Sequence, residues 1–246
     1  MIDYNPPPDL LADRVILITG AGDGLGRVAA HTFAAYGATV VLLGRTIRKL
    51  EIVYDEIEQA GHPQPAIYPM NLEGANLKDF EDLASTLNTE FGQLNGLLHS
   101  AALLGTLTPL EHYDIGLWYK VMQVNLNAPF LLTQICLGLM RQASDASIIF
   151  TSCDIGRKAR AYWGAYAISK FAITGMMQIL ADELEANPKL RVNSINPGAV
   201  RTTMRATAFP GEDPSTLPLP NTVMPLYLYL MGPDSQKVNG QTLNVD

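Results

Sequence analysis

Short apolar runs alternate along the chain with longer segments that mix apolar and polar residues. The runs are rich in β-branched residues and have the length of buried strands, whereas the segments between them have the length of helices. Strands that alternate with helices form a parallel sheet with helices on both faces. The pattern therefore predicts a doubly wound α/β fold. The clear runs span residues 14–19, 38–43, 96–100, 146–150 and 191–195.

Two weaker runs extend the predicted sheet at its sides. Residues 65–70, PAIYPM, contain two prolines, which a strand tolerates at a sheet edge or at its start. Residues 241–245 would close the sheet at the other side, which gives about seven strands in a mostly parallel sheet. We expect one domain over residues 1–246, with an N-terminal extension over 1–11. The segments of helical length span residues 24–36, 45–60, 75–91 and 112–141.

The segment 203–222 differs in composition from the rest of the chain, because proline, threonine and glycine become frequent there. An excursion of that length inside a compact domain is usually functional. We expect this segment to cover a substrate, and Trp163 together with Phe209 to form an apolar wall for it. Aromatic residues at these two positions could equally belong to the core.

Composition and charge narrow the class of protein. The chain has 246 residues, of which 48% are hydrophobic and 17% charged, so it can bury a sizeable core. The net charge of −7 argues against a nucleic acid or an anionic membrane surface as a partner. There is no signal-peptide pattern and no apolar run of membrane-spanning length. The two cysteines form no disulfide framework and the histidines have no metal-ligand spacing, so we expect a cytoplasmic protein without a metal.

A glycine-rich loop, ITGAGDGLGRV, follows the first predicted strand and opens a helix. Its glycines lack a Cβ atom, so the turn can be tight and a pyrophosphate can approach the backbone at the helix N-terminus. A lone loop of this kind is weak evidence, but this one lies within a strand–loop–helix–strand unit. We therefore predict a dinucleotide-binding Rossmann fold. The alternative is a purely structural turn.

The end of the second strand bears on the choice of dinucleotide. An acidic residue there would bind the ribose 2′-hydroxyl and repel a 2′-phosphate, but this chain has Gly44 at that position. Arg45 follows, and a guanidinium is the best side-chain partner for a phosphate. NADP(H) is therefore favoured over NAD(H), although Asp23 places an acid in the glycine loop. The alternative is a basic helix start that faces solvent.

Tyr166 and Lys170 lie four positions apart in the predicted helical stretch GAYAISK. That spacing makes the two side chains neighbours on one helix face. A lysine cation beside a phenol lowers the pKa of the phenol, so Tyr166 could exchange protons near neutral pH. Taken alone, the heptapeptide could also be a half-buried aromatic residue with a solvated lysine on the next turn.

The glycine spacing Thr19-Gly20-x-x-x-Gly24-x-Gly26, together with Tyr166-x-x-x-Lys170, resembles the short-chain dehydrogenase/reductase family. The resemblance covers residue 12 to the C-terminus and is closest to the YciK-type bacterial oxidoreductases. It implies that Tyr166 transfers a proton to or from the substrate oxygen and that Lys170 holds the nicotinamide ribose. It also implies that Asn125 supports a water that connects the lysine to solvent, although a polar residue closing a helix kink is the alternative there. The cofactor contacts expected from the motifs and the resemblance are Gly20, Gly22, Asp23, Gly24, Leu25, Gly26, Gly44, Arg45, Asn71, Leu72, Ser100, Ala101, Ala102, Tyr166, Lys170, Pro197, Gly198, Val200 and Thr202.

The chain departs from the family pattern at two places. The family has N-N-A-G after the fourth strand, where this chain has His99-Ser100-Ala101-Ala102, and we interpret His99 as a satisfied wall residue. The family serine that contacts the substrate oxygen lies thirteen residues before the tyrosine, and that position is Cys153. A thiol is a weaker donor than a hydroxyl. Cys153 is therefore a weak donor, or a neighbour compensates, or the enzyme is slow.

These observations predict an NADP(H)-dependent oxidoreductase that reduces a small carbonyl compound or oxidises the matching alcohol. Two alternatives stay open. One is a dinucleotide-binding sensor or structural protein with little catalysis, and the other is an isomerase or dehydratase that uses the same Tyr/Lys pair. The family resemblance further implies a homodimer or homotetramer that forms through the helices starting near residues 112 and 165.

Overall fold

The fold is built on one sheet of seven parallel strands in the order β3-β2-β1-β4-β5-β6-β7. The structure is a computed structural model that describes residues 4–245. Every predicted strand is present, and the two weaker runs, β3 and β7, form the two edges. The parallel α/β prediction is therefore confirmed. The strands are β1 Val15–Thr19, β2 Thr39–Gly44, β3 Ala66–Pro69, β4 Gly96–His99, β5 Ala146–Thr151, β6 Leu190–Asn196 and β7 Thr242–Asn244.

Helices cover both faces of the sheet, as the alternation of patterns predicts. Successive residues of a strand point to opposite faces, so Ile16 and Ile18 pack with helices α1, α2 and α8, whereas Leu17 packs with α3, α5 and α6. Both clusters are almost fully buried. The helices are α1 Gly24–Ala35, α2 Ile47–Gln59, α3 Leu77–Phe91, α4 Ile115–Met122, α5 Ala128–Met140, α6 Gly164–Glu183, α7 Thr203–Ala208 and α8 Met224–Met231.

The strand order reverses its direction between β1 and β4, which are neighbours in the sheet. In an open parallel sheet a crevice forms outside the carboxyl ends of the strands at such a point, and ligands bind there. The glycine loop after β1 and the segments after β4 and β5 all reach this edge. The topology therefore brings the predicted motifs together although they are far apart in sequence.

The helical segment predicted over residues 112–141 is broken in the structure. It consists of α4, a π-helical turn Gln123–Asn127 and α5. The cause is Pro129, which has no N–H to donate to the carbonyl group of Asn125 four residues earlier. Proline and single π turns are the usual origins of such breaks. The proline was visible in the sequence, so this break was predictable.

The segment 203–222 is more ordered than its composition indicates. It begins with α7 and continues with two short 3-10 turns, Pro214–Thr216 and Pro220–Val223. Arg205 forms a two-pronged ion pair with Glu212, with both N···O distances at 2.6 Å, and this pair ties α7 to the loop behind it.

The N-terminal extension predicted over residues 1–11 is attached to the body of the protein where the structure describes it. Tyr4 donates to Asp234 at 2.7 Å, and Leu11 is fully buried in the core. Residues 1–3 of that prediction lie outside the described residues. Within residues 4–245 no helix combines the length and the apolar character that crossing a membrane requires.

Candidate active site

One cleft of about 680 Å³ runs along the carboxyl edge of the sheet. The predicted site residues line it with two exceptions, Gly26 and Asn125. Motifs from seven separate chain segments thus share a single cavity. The predicted residues on its walls are Gly20, Gly22, Asp23, Gly24, Leu25, Gly44, Arg45, Asn71, Leu72, Ser100, Ala101, Ala102, Cys153, Tyr166, Lys170, Pro197, Gly198, Val200 and Thr202.

The glycine loop makes two close backbone approaches. Gly20 has φ +70°, and a Cβ atom on it would lie 2.9 Å from the Cα atom of Ala101, so the loop rests directly on the end of β4. Gly26 lies behind the loop rather than in the cleft, because a Cβ atom there would be 2.4 Å from the carbonyl oxygen of Gly20. The contact of Gly26 with the cofactor stays a prediction, since this glycine does not line the cleft itself. Its role is to let α1 pack against the turn.

Thr19 ties the ends of β1 and β4 together. Its hydroxyl oxygen accepts hydrogen bonds from the backbone N–H groups of Ser100 at 3.0 Å and Ala101 at 3.1 Å. These contacts fix the segment Ser100–Ala101 on the cleft wall. The sequence analysis quoted Thr19 only as part of the glycine motif and missed this role, although a buried threonine at the end of a strand signals that its hydroxyl has a partner.

Asp23 is the N-cap residue of α1, and its carboxylate accepts from the N–H of Gly24 at 2.7 Å. Lys49 donates to the same carboxylate at 2.5 Å, and this bond, more than the cap, lowers the pKa of Asp23. The ion pair with Lys49 offsets the negative charge of Asp23, which in the sequence argued against a phosphate near the glycine loop. The first turn of α1 still directs backbone N–H groups at the cleft, as an anion site requires.

Arg45 lies at the cleft rim directly after β2. The preceding residue is Gly44, where a Cβ atom would be 3.2 Å from the side chain of Leu50, so the strand end packs tightly on α2. The guanidinium of Arg45 is solvent-exposed, and no residue among 4–245 pairs with it. A phosphate at this rim would meet a free cation.

Tyr166 and Lys170 occupy adjacent turns of α6 and are almost fully buried in the cleft wall. The Lys170 ammonium donates to the carbonyl oxygen of Thr151 at 2.7 Å and lies 5.6 Å from the centroid of the Tyr166 ring. The bland alternative, a solvated lysine, is excluded by this burial. The helix thus presents a phenol and an ammonium to the same part of the cavity.

The pKa of Tyr166 differs from the prediction. Burial, and next the neighbouring Cys153 thiol, raise it well above its ordinary value, whereas the sequence predicted that Lys170 lowers it. The physical reason is that desolvation penalises the phenolate and the lysine points toward the Thr151 carbonyl. Burial also lowers the pKa of Lys170. The phenol is therefore protonated at neutral pH.

Cys153 faces the cleft next to Tyr166. It lies in one apolar cluster with Tyr166 and Trp163, and its thiol is close enough to the phenol to influence the pKa of Tyr166. Ser152 is only 2% exposed, and its hydroxyl has no hydrogen-bond partner among residues 4–245. The alternation of neighbouring side chains at a strand end explains why the cysteine rather than the serine reaches the phenol.

Asn125 lies in the π turn and supports the cleft from behind. Its side-chain amide donates to the carbonyl oxygen of Leu103 at 3.0 Å and to the hydroxyl of Ser169 at 3.1 Å, and its oxygen accepts from the N–H of Leu103 at 2.7 Å. The side chain thus makes all these hydrogen bonds to other parts of the protein, which agrees with the alternative of a polar residue that closes a helix kink. Because Pro129 cannot donate to the Asn125 carbonyl, that oxygen retains capacity for another donor.

His99 lies beneath the cleft, stacked on Phe150 with the ring centroids 4.6 Å apart. One ring nitrogen, Nε2, is 3.0 Å from the hydroxyl of Thr133. The other, Nδ1, has no partner among residues 4–245, so the prediction of a satisfied residue holds for only one nitrogen. Burial, and then the charge of Lys170, lower the pKa of His99 to about 3, so the ring is neutral.

The segment after β6 closes the far side of the cleft. Thr202 is the N-cap residue of α7, and its hydroxyl oxygen accepts from the N–H of Arg205 at 3.1 Å. Its O–H donor remains available to a ligand. Gly198 has φ +69° and its N–H donates to Asn196 at 3.1 Å, which turns Pro197 and Val200 toward the cavity.

The residues on the cleft walls fit a dinucleotide. A helix N-terminus supplies anion-binding N–H groups at one end, and glycine loops on both sides leave space for the backbone to come close. At the other end, the buried Lys170 ammonium has three donors and donates one hydrogen bond to the protein residues described. Among residues 4–245, no group of three or more His, Cys, Asp or Glu side chains is placed to hold a metal ion.

Comparisons with known proteins agree with this geometry. A sequence model of a family described as short chain dehydrogenase matches residues 14–213. The chain is 49% identical over 241 residues to the oxidoreductase YciK of Escherichia coli strain K12, over 98% of this chain and 95% of YciK. A solved short chain dehydrogenase from Pseudomonas syringae is 53% identical, with a TM-score of 0.96 over 100% of both chains. One from Shigella flexneri 2a strain 301, complexed with NADP, is 49% identical, with a TM-score of 0.94 over 97% of this chain and 99% of its own.

Proposed function

This chain belongs to the short-chain dehydrogenase family, and we propose that it is an NADP(H)-dependent oxidoreductase that reduces a carbonyl compound or oxidises the matching alcohol. The observation that carries the proposal is the buried pair on α6. Tyr166 and Lys170 lie side by side in the wall of a cleft whose other end opens at a glycine loop. A phenol beside a nicotinamide site is suited to move a proton at the substrate oxygen.

The choice of NADP(H) rests on Arg45 and on the neutralised Asp23. The free guanidinium at the end of β2 is suited to a 2′-phosphate, and the ion pair with Lys49 reduces the repulsion from the glycine loop. The solved relative from Shigella flexneri was crystallised with NADP, which supports the same cofactor here. Lys170 would hold the nicotinamide ribose, and Thr202 the carboxamide.

The positions of Tyr166 and Lys170 suggest which step of the reaction each side chain performs. When bound, NADPH supplies the hydride that reduces the carbonyl carbon. Tyr166 gives its phenolic proton to the carbonyl oxygen, which completes the alcohol. Because burial raises the pKa of Tyr166, the proton is present at neutral pH and ready for the reductive direction. Lys170, whose ammonium lies 5.6 Å from the centroid of the Tyr166 ring, places a positive charge near the phenolate until a proton returns from solvent.

The test measures NADPH consumption with a panel of aldehydes and ketones, together with nucleotide affinity. We expect Tyr166→Phe to abolish turnover and to leave NADPH affinity almost unchanged. Lys170→Ala should lower both, because it contacts the ribose and the phenolate. Near-full activity of Tyr166→Phe would contradict the catalytic role. Substrate loss without net NADPH oxidation would indicate the isomerase or dehydratase alternative, and binding without any turnover the sensor alternative.

Cofactor choice needs its own measurement. Arg45→Ala should weaken NADPH by about 1.5–3 kcal/mol, the value of a charged hydrogen bond, and should leave NADH affinity unchanged. Arg48→Ala is the matched control, since Arg48 is also exposed, lies in the first turn of α2 and does not line the cleft. Equal affinity of the unmutated protein for NADPH and NADH would overturn the assignment.

A further inference from the structure

The part of the cleft beside Tyr166 has an aromatic wall. The Trp163 ring lies 5.6 Å from the Phe209 ring and 5.9 Å from the Tyr166 ring, measured between centroids, and both pairs are tilted. Leu104 and Ala208 belong to the same cluster. Such a wall stabilises an apolar body by desolvation and by ring contacts. This wall is suited to an apolar part of a substrate, such as a ring or a branched chain.

Some cationic side chains along the cleft have a hydrogen-bond or ion-pair partner in the protein, and others have none in the part of the chain that the structure describes. Lys49 is paired with Asp23 at 2.5 Å, Lys170 donates to the Thr151 carbonyl at 2.7 Å, and Arg205 is held by Glu212. Arg205 also lies over the Phe209 ring, 3.7 Å from its centroid, so it acts as a wall component. Lys49 and Arg205 are thus paired with carboxylates of the protein, whereas Lys170 donates one hydrogen bond to it.

Two cleft arginines, Arg45 and Arg160, have no partner among residues 4–245. Arg45 follows β2, whereas Arg160 lies in the loop between β5 and α6. Because β2 and β5 are three positions apart in the sheet, the two elements are separated by about 14 Å at the strand spacing of parallel sheets. Arg45 follows β2, which pairs with the strand before the glycine loop, whereas Arg160 lines the cleft three residues before Trp163 in the loop that leads to Tyr166.

The acidic residue nearest in the chain does not neutralise Arg160. Asp154 also lines the cleft, but its carboxylate accepts from the side-chain amide of Asn196 at 2.7 Å and forms no ion pair with Arg160. A guanidinium that remains free at the edge of an apolar pocket is suited to a carboxylate, which it can bind through two parallel hydrogen bonds.

We propose that the substrate is a keto acid, in which an apolar body lies against Trp163 and Phe209 and the carboxylate binds Arg160. The inference rests on the proposed function, because it places the carbonyl oxygen at Tyr166. It names Arg160 as the residue that distinguishes acids from neutral carbonyl compounds. The reaction interconverts a keto acid and the corresponding hydroxy acid, with the hydride going to the carbonyl carbon and the proton to its oxygen.

The kinetic test compares acids with their neutral methyl esters. Phenylpyruvate and 3-benzoylpropionate present the same ring with the carboxylate at different distances from the carbonyl. At least one acid should exceed its ester in kcat/KM. Arg160→Gln should raise KM for that acid by about ten- to hundred-fold, because the charged contact with the carboxylate is lost, and should leave the ester within about twofold. Lys158→Gln is the matched control, since it removes an equal charge from the same loop outside the cleft.

A binding measurement separates this inference from the proposed function. Titration calorimetry of the NADP⁺-loaded protein would compare 3-phenylpropanoate with 3-phenylpropanamide, neither of which reacts. We expect the acid to bind more tightly, and Arg160→Gln but not Lys158→Gln to remove the difference. Equal binding of acid and amide, or binding of neither, would overturn the role of Arg160 even if carbonyl compounds are reduced. If the acid binds as expected but no carbonyl compound is turned over, the proposed function fails instead.

Discussion

Cys153 is the residue at which the chemistry of this site is least usual. The thiol lies beside the Tyr166 phenol, where a hydroxyl would be a better hydrogen-bond donor to a substrate oxygen. Removal of one donor of this kind typically reduces a rate by ~10²–10³. The position is partly exposed to the cleft, so the sulfur is available to a ligand.

Cys153→Ser should therefore raise kcat/KM for a reducible carbonyl, by less than the full ~10²–10³ because a thiol still donates weakly. Ser152→Ala should change the rate little, since Ser152 is 2% exposed and its hydroxyl forms no hydrogen bond with the phenol. Both variants are nearly isosteric, so the free energy of unfolding should change by less than about 1.5 kcal/mol. A silent Cys153→Ser together with a strongly impaired Ser152→Ala would mean that the serine holds the substrate.

His99 makes a separate prediction about stability and pH. Its pKa falls from an ordinary 6.5 to about 3 in the folded protein, so between these values the unfolded chain binds more protons. Stability should accordingly decrease as the pH falls below 6.5, by ~2 kcal/mol between about pH 7.5 and about pH 5 from this group alone. Urea unfolding of the protein and of His99→Asn at both pH values isolates the effect. An equal pH dependence in both proteins would contradict it.

At the residue scale, the positions of site residues could be predicted from the sequence where they depend on residue type and spacing alone. The glycine loop, Arg45 and the Tyr166–Lys170 pair all occupy the cleft that their spacing predicts. The direction of the Tyr166 pKa was predicted wrongly, because burial is decided by the packing of other segments around the phenol. The lack of a partner at Nδ1 of His99 among the described residues was not predictable for the same reason, because the ring is surrounded by Phe150 of β5 and Thr133 of α5.

At the scale of elements, the strands were predictable because buried parallel strands are short, apolar and β-branched. The break between α4 and α5 was missed because the apolar pattern continues through it, although Pro129 signalled it. The ordered structure of 203–222 was also missed, because it depends on the pairing of Arg205 with Glu212 rather than on helix propensity.

We expect the ion pair between Arg205 and Glu212 to stabilise the segment 203–222 over the cleft. Glu212→Gln should release Arg205 from its two-pronged contact and loosen α7 over the cleft. We expect KM for the substrate to rise by about two- to fivefold and proteolysis within 209–216 to become faster, because low local stability favours local opening. The melting temperature should hardly change. Arg205→Lys, which keeps the charge but not the planar fork, should show a smaller effect of the same kind.

For the whole molecule, the parallel sheet and its two weak edge strands followed from the alternation of strands and helices, but the contacts that join distant segments did not. Arg14 and Arg191 both bind Asp145 beneath the sheet and also donate to the carbonyl oxygens of Met231 and Gly232. Nothing in the sequence relates these residues, which lie in four different segments. A buried carboxylate between two arginines is stable only when all its partners are present. The ion pairs of Asp145 with Arg14 and Arg191 therefore depend on the complete fold.

The helices that would form an oligomer carry an exposed apolar stripe. On α6, Ile168, Phe171 and Ile179 recur at helical spacing and are 40%, 42% and 62% exposed. Gly175 lies between them with open space where its Cβ atom would be. Ile115 and Tyr119 on α4 are 71% and 68% exposed. Exposed apolar side chains that recur along a helix in this way are typical of a protein interface.

We expect a homodimer or homotetramer that buries this stripe, and Phe171→Glu should shift it toward monomers because a carboxylate would be desolvated in the interface. Light scattering at micromolar concentration measures the change. Ile47→Glu is the matched control, since Ile47 is 52% exposed but lies on α2, which packs on the opposite face of the sheet. A stable interface needs roughly 800 Å² from each partner, which the stripe on α6 alone does not supply, so α4 and α5 must contribute. A monomeric unmutated protein, or dissociation by Ile47→Glu but not by Phe171→Glu, would place the interface elsewhere.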